Sequence, residues 1–155
     1  MDWGLGHATR CIPIIHYLLQ KGHEITIAGN KATNALLIKE FPTAEFLLIK
    51  GYNIKYPTQS QLFVWKIMLQ LPKIWCAIKQ ENRWLLKQLK TRSWDLVISD
   101  NRYGMHAPKI QTVFITHQLR VQSGIGSLAD NIIQFFLYLK INKFNKCWVP
   151  DEESN

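Results

Sequence analysis

The chain is short of cysteine, of acidic residues and of long apolar runs, and each shortage excludes something. Its three cysteines, Cys11, Cys76 and Cys147, are odd in number, far apart and without CxxC spacing. That pattern argues against a zinc ribbon, a redox pair or a disulfide framework. Free, buried thiols in a reducing compartment are expected instead. No N-terminal apolar segment resembles a signal peptide, and no run approaches the ~20 apolar residues of a membrane span. The expected location is the cytoplasm, with peripheral contact to the inner face of a membrane left open. Internal repeats, low-complexity stretches and tight Lys/Arg blocks are also missing, so nucleic acid is not an expected partner. No recognised ligand spacing joins His7, His106 and His117, and no metal or cofactor is expected.

What is present is an ordinary globular composition. Of 155 residues, 47% are hydrophobic and 19% charged, enough to build a core and far from a disordered chain. Lys and Arg outnumber Asp and Glu by 19 to 11, a positive field that suits phosphates, nucleotide sugars or anionic lipid.

Ala8, Cys11, Ile12, Ile15, Leu18 and Leu19 recur at helical spacing, and Lys21-Gly22 supplies a stop. A strand is expected over His23–Gly29, a helix over about Lys31–Glu40 and a strand over Ala44–Ile49. A long helical region follows from about Ser60 to Arg92, which Pro72 should kink or divide. Asp95–Ser99 and Thr112–Thr116 read as buried parallel strands, followed by a helix at Leu128–Ile141 and a strand at Cys147–Val149. Alternating strands and helices predict an α/β domain, a Rossmann-like, mostly parallel sheet flanked by helices. Trp65, Trp75, Trp84 and Trp94 interleave with Lys66, Lys73, Lys79, Arg83 and Lys87. Core packing with lysines in solvent and contact with an anionic membrane are both open readings of that pattern.

The chemistry-bearing motif is Asp2-Trp3-Gly4-Leu5-Gly6-His7-Ala8-Thr9-Arg10. Two glycines and a histidine sit at a helix start, where backbone approaches a ligand and unpaired N–H groups attract anions. A dinucleotide fingerprint would need a third glycine where Thr9 stands and an acid near Asn30, so an oxidoreductase is disfavoured. Such a loop ordinarily follows a strand, yet only Met1-Asp2-Trp3 precedes it. The first strand is therefore expected to be lacking.

With Gly22-His23-Glu24-Ile25-Thr26, Ile98-Ser99-Asp100-Asn101-Arg102-Tyr103-Gly104, Phe114-Ile115-Thr116-His117-Gln118 and Phe144-Asn145-Lys146-Cys147-Trp148-Val149-Pro150-Asp151, that motif resembles the N-terminal domain of GT-B glycosyltransferases. The likeness is especially to bacterial proteins similar to the lipid-linked N-acetylglucosaminyltransferase and UDP-sugar transferase groups, and it runs nearly end to end. It implies an acceptor-binding half, residues 1–155, of an enzyme that moves sugar from a nucleotide-sugar donor to an acceptor hydroxyl, with a lipid-linked acceptor left open. The donor-binding domain is expected to be absent and the chain alone inactive. An inactive ligand-binding or interaction module of the same fold, or a fragment of a GT-B-like sugar-nucleotide epimerase, are the alternatives.

His7 is the candidate base, because an imidazole near a helix N-terminus stays neutral and can take a hydroxyl proton. Capping the helix is its alternative role. Asp100, ending a predicted strand, is the candidate partner that orients His7, or else it holds the next turn through Asn101. Gly4, Gly6, Arg10, Arg102, Tyr103, His117 and Gln118 complete the candidate substrate site, the last four following strands at one sheet edge. His16 and His23 read as surface residues.

Overall fold

The computed structural model describes residues 5–51, 63–116 and 127–150, with side chains described from residue 9 onward except at 63–69, 71, 127–129 and 132. The chain divides into two compact units, Met1–Ile54 and Lys55–Asn155. It is an α/β protein of short parallel sheets flanked by helices, an arrangement consistent with a Rossmann-like fold. The described strands form two sheets, one of two strands and one of three, where a single sheet was expected.

In the first unit, α1 (Leu5–Gln20) runs into β1 (Thr26–Gly29), α2 (Lys31–Glu40) and β2 (Glu45–Leu48). The expected glycine stop is present. His23 N–H donates to Leu18 O at 3.1 Å and Gly22 N–H to Leu19 O at 2.9 Å, the paired bonds of a Schellman motif. Gly22 takes φ 81°, a left-handed conformation that costs glycine nothing.

β1 and β2 pair in parallel from Thr26↔Glu45 to Gly29↔Leu48. Asn30 caps α2, its Oδ1 accepting from Thr33 N–H at 2.9 Å, which satisfies one of the orphan donors of the first turn. Asn34 Nδ2 donates to Leu47 O at 3.0 Å and ties α2 to β2. Gly29 permits that approach, for a Cβ there would lie 2.4 Å from Asn34 Oδ1. Ile15, Ile27, Leu37 and Phe41 form the core, with Cys11, Ile12, Ile25, Leu36, Ala44 and Phe46 packed on it. His16, a surface residue as read, bonds Glu40 at 2.9 Å across α1 and α2.

The second unit comprises α3 (Phe63–Gln88), β3 (Leu96–Asp100), β4 (Gln111–Ile115), α4 (Ser127–Ile141) and β5 (Lys146–Trp148). The three strands are parallel in the order β3-β4-β5. Central β4 is buried from Thr112 to Ile115, as a parallel strand covered on both faces should be. Of the two outcomes expected at Pro72, a kink or a division, the division does not occur: α3 is one helix of 26 residues with Pro72 inside it. Proline removes one backbone donor, and Ile78 and Leu85, buried on the inward face of the following turns, anchor the helix beyond it.

The three cysteines are free, but Cys76 and Cys147 are exposed and Cys11 half-buried, correcting the expectation of buried thiols. Cys76 lies on the outward side of α3. Cys147 belongs to β5, a sheet-edge strand whose residues are all exposed.

Candidate functional site

The carboxyl end of the β3–β4–β5 sheet is the best-defined candidate site. Parallel pairing puts the ends of all three strands on one edge, with Asp100 opposite Ile115 and Ile115 opposite Trp148. The ladder continues one step, because Asn101 N–H donates to Ile115 O and Thr116 N–H to Trp148 O, both at 3.0 Å. Asp100 is half-buried there, with its Oδ1 inside the protein. Asn101 then turns the chain at φ 53°, a left-handed conformation that asparagine tolerates better than most residues.

The turn after Asn101 is held from below by α3. Glu81, on the same helical stripe as Ile78 and Leu85, is buried. Its Oε1 accepts from Arg102 Nε at 2.5 Å and its Oε2 from Gly104 N–H at 2.8 Å. A buried carboxylate is tolerable only with such partners. Asn82 Nδ2 adds bonds to Gly104 O at 2.8 Å and His106 O at 2.7 Å. Ser99 Oγ donates to Arg102 O at 2.8 Å. Residues 99–106 are thereby clamped to one turn of α3, with backbone and side chains sharing the bonds.

Behind the turn lies an aromatic stack. Tyr103 packs on Phe114 at 4.9 Å between centroids, Phe114 on Phe144 at 5.0 Å, and His106 edge-on to Phe144 at 5.7 Å. Burial, with the Cys147 thiol nearby as the lesser cause, pushes the Tyr103 phenol up to about 12. Burial, then Lys143 and Lys140, lower the His106 imidazole below its ordinary value.

Of the candidate residues named from sequence, Asp100, Arg102 and Tyr103 come together on this edge. Arg102 is engaged by Glu81, and Tyr103 turns its ring into the aromatic stack. Arg10 is half-buried on α1. Gly6 and His7 lie in the first turn of α1, but the His7 side chain, all of Gly4, and His117 and Gln118 fall outside the described residues. His7 and Asp100 belong to different units.

Glu81 and Asn82 were not among the sequence candidates. The signal was there: a glutamate on the apolar stripe Ile74, Ile78, Leu85 occupies a position where a charge needs a dedicated partner. An open hollow of about 440 Å³ lined by Trp94, Asp95, Pro108, Lys109, Ile110, Gln111 and Asn145 sits at the opposite, amino end of β3 and β4 and includes no sequence candidate. Among the described residues, no group of three His, Cys, Asp or Glu could hold a metal ion. No helix among them is long and apolar enough to cross a membrane.

No protein-family model, curated protein or solved structure matches the chain.

Proposed function

We propose that this chain supplies the acceptor-binding side of a GT-B-type glycosyltransferase, which moves a sugar from a nucleotide-sugar donor to an acceptor hydroxyl. The observation that carries the reading is the carboxyl edge of the parallel β3–β4–β5 sheet. There Asp100 and the clamped turn at Arg102–Gly104 meet, and ligands of open α/β sheets bind at such edges. The glycine-histidine motif at the start of α1 is an anion-facing helix end that also fits the reading. In this reading His7 removes the acceptor proton and Asp100 orients the imidazole. Gly4, Gly6, Arg10, Arg102, Tyr103, His117 and Gln118 are the proposed substrate contacts. A donor-binding domain is supplied by sequence other than residues 1–155, and no metal or cofactor takes part.

The test compares residues 1–155 with the chain extended to the limits of its reading frame. Both are assayed with a panel of nucleotide sugars, following free nucleotide and glycosylated acceptor. Turnover is expected only from the extended form. Robust turnover by residues 1–155 alone removes the half-cleft reading, and ligand binding without turnover in the extended form supports the inactive binding module instead.

A further inference from the structure

The last turn of α4 carries a cation into the protein. Lys140 stands seven residues after Ile133 and three after Leu137, on the side of the helix that those half-buried residues turn inward, and it is only 8% exposed. The outward face of α4 bears Phe135 and Leu139, 61% and 45% exposed. Lys140 Nζ lies 3.6 Å from the centroid of the Trp75 ring on α3. Among the described residues it has no hydrogen bond and no ion pair. The carbonyl end of α4 and the aromatic face both favour a cation there, but neither offers a full counter-charge, which a buried ammonium calls for.

Further basic groups converge on the same recess. Lys79 stands one turn of α3 beyond Trp75, and Asn82, on the same stripe, donates to His106 O at 2.7 Å. That bond brings the His106 loop against α3 beside Lys79. On its other side His106 meets Phe144 edge-on at 5.7 Å. The turn leading to Phe144 carries Lys143, whose N–H donates to Lys140 O at 3.2 Å. Lys79 and Lys143 are exposed and His106 is half-buried. Burial, then Lys143 and Lys79, lowers the Lys140 ammonium below its ordinary value, and Lys143 and Lys140 act in the same direction on His106. Neither shift has a carboxylate among its causes. Glu81, the one acid of α3, is engaged by Arg102 and Gly104. Asp130, the one acid of α4, lies in its first turn, about 15 Å along the axis from Lys140.

We infer that the recess between α3 and the end of α4, where Lys140, Lys79, Lys143 and His106 converge beside Trp75, binds the phosphate group of a small soluble molecule. Three ammonium groups and an imidazole N–H offer donors around one point, and a phosphate dianion has oxygens enough to accept from all of them. A single carboxylate neutralises less of the cluster. The buried position of Lys140 favours a ligand that enters the recess over an extended surface, which meets only what protrudes. With the anion seated, Lys140 gains the counter-charge that its burial requires. The inference is independent of the sugar-transfer reading and stands if that reading fails.

The test is calorimetric titration of the intact chain with inorganic phosphate, beside NMR titration of its histidines, at an ionic strength held constant with sodium chloride. Saturable binding is expected. Phosphate should raise the His106 midpoint by about one unit or more, as an opposite charge within ~4–6 Å does, while that of His16, which bonds Glu40 in the other unit, is unchanged. Lys140→Met keeps an unbranched chain against Trp75 without the charge, and Lys79→Gln/Lys143→Gln alters exposed residues alone. Each should retain its fold by circular dichroism and bind phosphate at least ~10-fold more weakly, the worth of a hydrogen bond to a charged group. Wild-type affinity in either folded variant overturns the proposal. Calorimetric binding that leaves His106 unmoved, or moves His16 equally, also overturns it, since the phosphate then sits elsewhere or acts by screening. So does a His106 response to phosphatidylglycerol vesicles with none to phosphate, for the anionic partner is then a lipid surface.

Discussion

Tyr103 and His106 stand three positions apart in one clamped loop, and the same aromatic stack moves their ionisation in opposite directions. Burial disfavours the charged form of each, which raises an acid and lowers a base. For Tyr103 the phenol is pushed up to about 12, above its ordinary value near 10. The stability this lends is complete below the unfolded pKa and is lost as pH rises through about 12. Absorbance titration of the wild type against Tyr103→Phe should show one tyrosine ionising late, with unfolding accompanying it. For His106 the folded pKa lies below the ordinary 6.5, owing to burial, then Lys143 and Lys140. Its contribution is therefore present above pH 6.5 and lost as pH falls through the folded value. NMR titration should place its midpoint below 6.5, and Lys143→Gln should raise it.

The turn from Ser99 to His106 behaves as one element with the α3 turn beneath it, because Glu81 and Asn82 bond to three of its residues. Gly104 is required there by space. A Cβ would lie 2.5 Å from Ile78 O and 2.7 Å from Glu81 Oε2, and the first of these is backbone that cannot swing aside. Gly104→Ala should destabilise by about 1–3 kcal/mol through overpacking, read as a lower denaturation midpoint at unchanged slope. Glu81→Ala should cost more, about 3–5 kcal/mol, since it removes the buried carboxylate that accepts from both the Arg102 guanidinium and the Gly104 N–H. The double variant Glu81→Ala/Arg102→Ala should lose less than the two single losses combined, since the residues share one interaction. Additive losses would show that Glu81 and Arg102 act separately.

For the molecule as a whole, the proposed transfer depends most on assembling both sides of a cleft. Holding donor carbon and acceptor oxygen in near-attack contact is worth ~7–11 kcal/mol of barrier, whereas a general base contributes typically around 10²–10⁴ in rate. His7→Ala should therefore leave residues 1–155 at their baseline while lowering turnover of the extended enzyme by about 10²–10⁴. An extended His7→Ala enzyme with unimpaired turnover removes His7 as the base.

Local patterning determined the elements. The helix from Lys31 to Glu40 coincides with its reading, the α1 stop falls at Lys21-Gly22, and every expected strand is present within three residues at each end. Periodicity and caps act between near neighbours in the chain, which is why they are legible without a fold. Asp100, Arg102 and Tyr103 were legible as edge residues for a similar reason, since they directly follow a β-branched run. Tertiary structure alone decided what those residues touch. Glu81 reaches Arg102 across 21 positions, and no local pattern names the partner of a buried charge. Pro72 left α3 whole because packing beyond it outweighs one missing donor. The outward face of α4 was likewise invisible in a run apolar on every side, because exposure is set by what the rest of the unit leaves uncovered.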